Sequence, residues 1–406
     1  MLEKWILPAH TNPIALRLLI GRSLRAFVDG YVAVLLPVYL LALGLGTWEV
    51  GLIASATLLG SALLTMAVGV WGYRFSQTRL LRNAAALMWV TGLLFAAQSD
   101  FWPLLVIAFI GTLNPSAGDV SVFLPLEHAR LAACATGDAR TSLYARYSLM
   151  GAVCASFGAL AAALPQWFTQ ILNVELLSAL RIMFILYGVI GGTIWWLYRK
   201  IPAPDMRSAM APAPLGPSRA IVFKLAALFS LDAFAGGLLV NALLALWLFQ
   251  RFELSIAMAG VFFFWAGLLT ALSQLLAPRV AKRIGLLNTM VYTHIPANLC
   301  LIAAAFMPSL AWALAFLLMR SALSQMDVPT RTAFVMAVVT PAERAAAASF
   351  TAVPRSLAAA ASPTLGGALL ATGWLAAPLV ACGVLKIIYD VTILVAFRRA
   401  KLHAHD

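Results

Sequence analysis

Charged residues are scarce in this 406-residue chain, and their scarcity excludes most classes of soluble protein. Only 11% of the residues are Asp, Glu, Lys or Arg, whereas 63% are hydrophobic, and the mean hydropathy is +0.92. A soluble domain is about 45 to 50% apolar. The apolar residues form long runs, of the length of about 20 residues that a membrane-spanning helix needs, and not the short alternating segments of a β-barrel. The sequence therefore predicts an all-α membrane protein.

Acidic residues are the rarer of the two charge types. The chain has 15 Asp and Glu against 28 Lys and Arg, which gives a net charge of +13. The basic residues lie in every second loop between apolar runs, for example at Arg74, Arg199 and Arg283. This asymmetry is typical of cytoplasmic loops. We therefore expect both termini in the cytoplasm and contact with membrane lipid, and no binding of nucleic acid.

Cysteine patterns and enzyme motifs are also missing. The four cysteines stand singly without a CxxC spacing, and no P-loop, HExxH or paired Cys/His pattern occurs. We expect no catalytic residue, no cofactor and no metal site, and we interpret the cysteines as packing residues.

Apolar runs, charged ends and Pro/Gly positions predict twelve transmembrane helices. They are placed at 14–43, 48–73, 79–98, 102–129, 141–165, 176–199, 219–249, 255–280, 285–306, 309–338, 345–370 and 376–398.

A central linker divides these helices into two pseudo-symmetric six-helix bundles. Residues 200–218 are rich in Pro, Ala and polar residues, which separates a bundle at 1–199 from a bundle at 219–406. The segment RSLRAFVDG at 22–30 aligns with FSLDAFAGG at 229–237, and weaker matches follow in the same order. The halves are therefore predicted to be duplicated.

In helix number, linker position and duplication, the chain resembles the major facilitator superfamily of bacterial 12-helix transporters. The family motif between helices 2 and 3, roughly Gly-x-x-x-Asp-Arg-x-Gly-Arg-Arg, is only partly kept: Gly69 and Arg74 remain, but Tyr73 replaces the acidic residue. The antiporter motif of helix 5 is absent from 147–165. The resemblance implies an alternating-access transporter of the bacterial inner membrane, without the usual sequence support for drug/proton exchange.

Three charged residues are the candidates for energy coupling: two lie in the first helix of the first half, and one lies in the first helix of the second half. Arg25 and Asp29 lie one turn apart near mid-bilayer, and Asp232 takes the position equivalent to Arg25. Because helices 1 and 7 face each other in the resembled fold, we expect both carboxylates to share Arg25, which leaves Asp29 or Asp232 to carry the coupling proton. The alternative is that Arg25 and Asp29 form an internal salt bridge that merely permits insertion.

Other polar residues in predicted helices are candidates for the substrate cavity. Arg320 and Arg355 favour a carboxylate or phosphate on the solute, because guanidinium binds such groups with two hydrogen bonds. Alternatively, these two arginines tie helices together or reach the headgroups. The full candidate cavity set is Arg25, Arg320, Arg355, Asn114, Asn241 and Gln325.

Charges near the cytoplasmic helix ends are interpreted as a gate of ion pairs that form in one state and break in the other. The candidates are Arg74, Asp119, Arg140, Arg146, Arg283, Asp327, Arg331, Glu343 and Arg344. Helices 9 and 12 are peripheral in the family, so His294 is assigned a structural role, and Lys386 and Asp390 are expected to neutralise each other.

The sequence thus predicts a monomeric secondary transporter of a small organic solute, with proton-coupled export as the leading hypothesis. Import or uniport of a metabolite, or a receptor or lipid translocator on the same fold, are the alternatives.

Overall fold

A computed structural model describes residues 11–116, 121–202, 216–340 and 343–398. Within these ranges the secondary structure is helical, with one 3-10 helix at Gly72–Arg74. The α-helices are α1 (Ile14–Ala42), α2 (Thr47–Trp71), α3 (Gln77–Ala97), α4 (Phe101–Ile110), α5 (Phe123–Ala132), α6 (Gly137–Ala161), α7 (Leu164–Leu172), α8 (Leu176–Arg199), α9 (Arg219–Gly237), α10 (Asn241–Phe252), α11 (Ile256–Ile284), α12 (Leu286–Phe306), α13 (Leu310–Leu323), α14 (Asp327–Val338), α15 (Arg344–Ala371) and α16 (Ala377–Phe397).

The prediction of an all-α membrane protein is confirmed. Nine helical stretches of the described residues are long and apolar enough to cross a membrane, two of which join α6 to α7 and α9 to α10. The count of twelve spans stays a prediction, as does the division into two six-helix halves. We call the end of the bundle that carries Arg74, Arg199 and Arg283 the basic end.

Three predicted helices are broken in the structure, so their predicted continuity is wrong. The segment 102–129 is divided between α4 and α5, 219–249 between α9 and α10, and 309–338 between α13 and α14. Pro115 lacks the amide that a continuing helix requires. Just before it, the Asn114 side chain accepts bonds from the Ser116 amide and hydroxyl at 3.1 and 2.8 Å. In α9, the adjacent Gly236 and Gly237 favour an end to the helix.

Two of these breaks touch each other across the bundle. The amide of Ala242, at the start of α10, donates to the carbonyl of Pro115 at 3.0 Å. Irregular backbone inside membrane proteins is found where it is shielded by protein or lines a cavity. The breaks therefore mark the interior surface on which a site would be built.

Small residues join the two predicted halves at the end opposite the basic end. A Cβ at Gly51 of α2 would lie 2.6 Å from the carbonyl oxygen of Pro363, and one at Gly367 of α15 would lie equally close to that of Thr47. Only glycine allows such a close backbone approach. Nearby, the Ser55 hydroxyl bonds the amide and hydroxyl of Thr364 at 2.9 and 2.8 Å. This end of the bundle is closed by direct helix contact.

The same helices are far more exposed towards the basic end. Seven of the eight residues at 348–355 of α15 are exposed, a pattern that covers nearly all faces of the helix. Leu63 and Val70 of α2 are likewise exposed, at 40% and 60%. The contact between α2 and α15 is therefore concentrated at one end.

Replacing Gly51 with Leu should open the closed end. The new side chain overlaps the backbone of α15, and overpacking of this kind costs about 1 to 3 kcal/mol. Hydrogen–deuterium exchange of 47–55 and 363–371 should rise relative to wild type. Gly69→Leu is the matched control, because a Cβ at Gly69 of the same helix meets nothing within 4 Å. Equal exchange in the two variants would contradict the prediction.

Candidate functional site

Many charged side chains are buried inside the helical bundle. A buried charge is costly unless it is paired and hydrogen-bonded, so the partners define the site. Among the described residues, the ion pairs that involve Arg or Lys fall into two groups, which we call the first-half cluster (Arg25, Glu127, Tyr147, Tyr198) and the second-half cluster (Asp232, Asp327, Arg331, Lys386).

The first-half cluster is centred on a carboxylate that is fully buried. Both guanidinium nitrogens of Arg25 donate to Glu127, at 2.7 and 2.8 Å, in the bidentate geometry that gives the strongest pairs. Tyr147 also donates to Glu127, and the Tyr198 hydroxyl does so at 2.5 Å. The Arg25 guanidinium lies 4.1 Å from the ring centre of Phe123. Four helices, α1, α5, α6 and α8, thus meet at one carboxylate.

The predicted sharing of Arg25 between two aspartates is wrong. Arg25 pairs with Glu127 of its own half, and Asp232 pairs with cations of the other half. Asp29 is buried, with 6% of its surface exposed. It lies close enough to Tyr31 and Tyr187 to interact with them electrostatically. The carboxylate that neutralises Arg25 comes from α5, which the sequence pattern did not place beside α1.

The second-half cluster holds one carboxylate between two cations. Asp232 of α9 accepts from Lys386 of α16 at 2.6 Å and from Arg331 of α14 at 3.1 Å. Arg331 also pairs with Asp327, one turn away on α14. All four residues are buried, at 9% exposure or less. In the state described, Asp232 is therefore stabilised as a carboxylate.

The expected pairing of Lys386 with Asp390 is also wrong. Lys386 reaches Asp232, while Asp390 meets His294 of α12, with 2.9 Å between Asp390 Oδ1 and His294 Nδ1. Asn298 donates to the second oxygen of Asp390 at 3.3 Å. Helices α12 and α16 are thus joined by a buried polar contact. It lies one helical turn from Lys386, which bonds Asp232.

The two arginines predicted for the cavity occupy different surroundings. Arg355 is exposed on α15 and lies within electrostatic reach of Asp232, Asp327 and Arg331. Arg320 lies near the thiols Cys300 and Cys382 of α12 and α16. The structure brings Arg355, but not Arg320, to the second-half cluster.

The three amide candidates lie at the helix breaks. Asn114 shapes the turn after α4, Asn241 begins α10, and Gln325 lies between α13 and α14. Asn114 is 2% exposed, whereas the other two are partly buried.

The predicted gate residues do not form one group. Asp327 and Arg331 belong to the second-half cluster, and Asp119 lies outside the described residues. Arg344 donates to the Met336 carbonyl at 3.1 Å. Arg74, Arg140 and Arg283 are exposed and Arg146 is partly buried. The gate assignment stays a prediction.

Glu343, another gate candidate, fastens the end of the linker. It accepts bonds from the Gly216 amide, from the Ser218 amide at 3.2 Å and from the Thr340 hydroxyl at 2.6 Å. These hydrogen bonds stabilise the charged form and lower the pKa of Glu343 to about 2. At the start of the linker, the Pro202 carbonyl accepts from Arg130 and Thr78 at 2.9 and 3.1 Å. The first described end of the linker is thus bound to α3 and α5 of the first predicted half, and the other end to the segment between α14 and α15 of the second.

Several residues of the clusters were missed or assigned other roles from the sequence. Glu127 is an ionisable residue inside a predicted apolar helix, and that signal alone marks a functional candidate. Tyr147 and Tyr198 have no such signal, because buried tyrosines are common in helices of any role. Lys386 was recognised as charged but given the wrong partner.

Comparisons with known proteins identify the fold. The sequence profile of the Major Facilitator Superfamily matches residues 18–326. An uncharacterised membrane protein of Saccharomyces cerevisiae is 23% identical over 417 aligned residues, which are 92% of each chain. A D-xylose transporter of Levilactobacillus brevis is 32% identical over 108 residues, 27% of this chain and 22% of that protein.

A solved structure agrees with the same architecture. A bacterial homologue of the human lysosomal transporter Spinster, in an inward-facing and occupied conformation, superposes with a TM-score of 0.73 at 18% identity. The alignment covers 95% of this chain and 96% of that chain. At this identity the likeness shows the fold alone.

Replacing Glu127 with Gln should destabilise the protein strongly. The change leaves Arg25 buried without its counter-charge, which costs about 3 to 5 kcal/mol. Thermal unfolding of the purified protein measures the loss. The double variant Arg25→Met with Glu127→Leu should be less destabilised, because it removes both charges. Glu175→Gln, at an exposed carboxylate, is the control. If the double variant unfolds at a lower temperature than the Glu127→Gln variant, the pairing is contradicted.

Replacing Glu343 with Gln should loosen the linker anchor. The amides of Gly216 and Ser218 lose a charged acceptor, so their hydrogen exchange should accelerate. In the wild-type protein the bonds stabilise the folded state above the usual pKa of about 4.5, and this stabilisation is lost as the pH falls through about 2. Asp100→Asn, at an exposed aspartate that makes no capping bond, should leave both amides unchanged.

Proposed function

Because this chain belongs to the Major Facilitator Superfamily, we propose that it is a secondary transporter that moves a small organic solute with an anionic group by alternating access, coupled to protons. The anionic group on the solute is inferred from Arg355, an exposed residue within α15 that lies beside the second-half cluster. Its position eleven residues into the helix corresponds to about 16 Å from the basic end. A cation at that depth is costly unless it faces water or a counter-charge.

The binding site would lie between the two halves, open towards the basic end. Contact between α2 and α15 at the opposite end, together with exposure of α15 at 348–355, supports this arrangement. If the basic loops face the cytoplasm, the conformation is inward-facing. We place the protein in a bacterial inner membrane as a monomer, with export as the working direction.

Coupling to protons would use the buried carboxylates. Asp29 and Asp232 are the candidates in the first helix of each half, but Asp232 must lose a cation before it can take a proton. Solute binding near Arg355 would compete for the same charges. Exchange of partners within the cluster would then link solute to proton.

Import of an uncharged sugar is the second candidate. It is favoured by the local match to a D-xylose transporter, which is confined to 108 residues. A sugar binds through many neutral hydrogen bonds and does not require an exposed arginine. Arg355→Gln therefore separates the two functions: it should abolish uptake of an anion and leave uptake of a sugar largely intact.

A solute screen on purified protein in proteoliposomes, with and without an imposed pH gradient, tests the proposal. Organic anions should be transported only when the gradient is present, and Asp29→Asn or Asp232→Asn should remove that dependence. Asp100→Asn, far from both clusters in sequence and exposed, should behave as wild type. If the Asp29→Asn and Asp232→Asn variants both retain gradient-driven transport, neither carboxylate takes part in coupling. Everted and right-side-out vesicles give the direction.

A further inference from the structure

The helix α16 carries two opposite charges one turn apart that do not pair with each other. Lys386 and Asp390 are at i and i+4, a spacing at which side chains on a helix come within reach. Instead, Lys386 bonds Asp232 at 2.6 Å and Asp390 meets His294 at 2.9 Å. All four side chains are buried. The helix therefore holds a ready alternative ion pair that is not formed in this state.

The imidazole decides whether Asp390 has a counter-charge. Among the described residues, the side chains bonded to Asp390 are His294 and Asn298, and Asn298 is neutral. Histidine is the side chain that gains and loses a proton near neutral pH. With the proton on the pair, the charge of Asp390 is compensated. Without the proton, Asp390 is a buried anion, and Lys386 is the cation one turn away.

Lys386 can leave Asp232 without leaving that carboxylate bare of cations. Asp232 keeps Arg331, whose guanidinium is 3.1 Å away and is shared with Asp327, and Arg355 lies within electrostatic reach of both carboxylates. Only one ammonium group has to move, by about one helical turn. A partner exchange of this kind avoids the penalty for a lone buried charge.

Other ionisable groups of the second half surround the His294–Asp390 pair. Asp327 and Arg331 pair with each other, and Arg355 faces them from α15. In the described part of the chain, the ionisable groups that interact with Asp390 or His294 are Asp232 (α9), Lys386 and Tyr389 (α16), and these in turn interact with Asp327 and Arg331 (α14), Arg355 (α15) and the Cys382 thiol (α16), beside which lie Arg320 (α13) and Cys300 (α12).

The moving ammonium lies against a helix break. A Cβ at Gly236 would lie 3.5 Å from Lys386 Nζ, so the lysine packs against the glycine at which α9 ends. Beyond the break, Ala242 of α10 bonds Pro115 of the first half. The Lys386–Asp232 bond thus ties α16 to the last turn before the contact between the halves.

We propose that the His294–Asp390 pair binds the coupling proton, that this proton sets whether Lys386 bonds Asp232 or Asp390, and that Asp232 takes part in coupling as the partner of Lys386. Loss of the proton draws Lys386 to Asp390 and frees α9 from α16; uptake returns it. His294 and Asp390 act through Lys386 and are positioning residues. The inference rests on the proposed proton coupling and specifies its site.

The experiment uses the full chain in lipid nanodiscs, with protons as the ligand, between about pH 5 and pH 8. Nitrogen-15 NMR of labelled histidines follows His294. Hydrogen exchange of 59–71 in α2 and 344–355 in α15, corrected for the intrinsic pH dependence, follows the opening of the basic end. In wild type the exchange should change with the titration of His294, by about tenfold for each unit of difference in proton affinity between the two states.

Three variants and a control separate the switch from a structural role. His294→Asn places an amide near the position of Nδ1 and cannot titrate, so the pH step in exchange should vanish. Lys386→Gln should also remove the step while His294 still titrates in the NMR spectrum. Asp390→Asn should remove it as well and provides a second test should His294→Asn not fold. Thr293→Val is the control, because the Thr293 hydroxyl donates to the Thr289 carbonyl of its own helix at 2.8 Å.

The inference is overturned if His294→Asn or Lys386→Gln keeps the wild-type pH step, or if His294 titrates in wild type without any change in exchange. Its failure is distinguishable from that of the proposed function. If solute flux through wild-type protein in proteoliposomes is unaffected by a pH gradient, proton coupling itself is absent. If that flux depends on the gradient and His294→Asn leaves the dependence intact, only the site assigned here is wrong.

Discussion

Inside a membrane a buried charge cannot be hydrated, so its counter-charge must come from a neighbouring helix. Here each charge pairs within its own predicted half: Arg25 with Glu127 in the first half, and Asp232 with Lys386 and Arg331 in the second. Each cluster fastens several helices of its half together. The strong polar bonds are thus concentrated inside each predicted half, and the rest of the architecture depends on that placement.

The contacts between the halves have a different chemistry. At the closed end, α2 meets α15 through Gly51 and Gly367, and α6 meets α11 through Ala159 and Gly260. Such surfaces hold helices by van der Waals packing and short backbone approaches. Separating them exposes small apolar residues and does not strand a charge. Strong bonds within halves and weaker bonds between them favour motion of the halves as units.

The fold was largely predictable from the sequence because its main determinant is local. Runs of about 20 apolar residues report a lipid environment by themselves, and the basic loops separate the runs. The breaks at Pro115 and Gly236 were not anticipated, because proline and glycine are tolerated inside membrane helices and their presence does not say which helix is interrupted.

The site was only partly predictable, because its determinants are contacts between distant segments. The sequence identified Arg25 and Asp232 as charges within the membrane and Arg331 as a gate candidate, but spacing along one helix suggested Asp29 for Arg25 and Asp390 for Lys386. In both cases a residue more than a hundred positions away, Glu127 or Asp232, forms the pair. A pair at i and i+4 can be read from the sequence. The rotation of each helix, which decides which side chains of other helices it contacts, cannot.

The hydrogen bond between Ala242 and Pro115 is a fixed contact from which the tilt of the neighbouring helices can be measured. Helix α9, with 19 residues, extends about 28 Å from this neighbourhood to the basic end. A tilt of about 15°, similar to rotations known in allosteric assemblies, would displace that far tip by about 7 Å. A small change of angle at one backbone contact would therefore be amplified along the helix into a much larger displacement at the basic end.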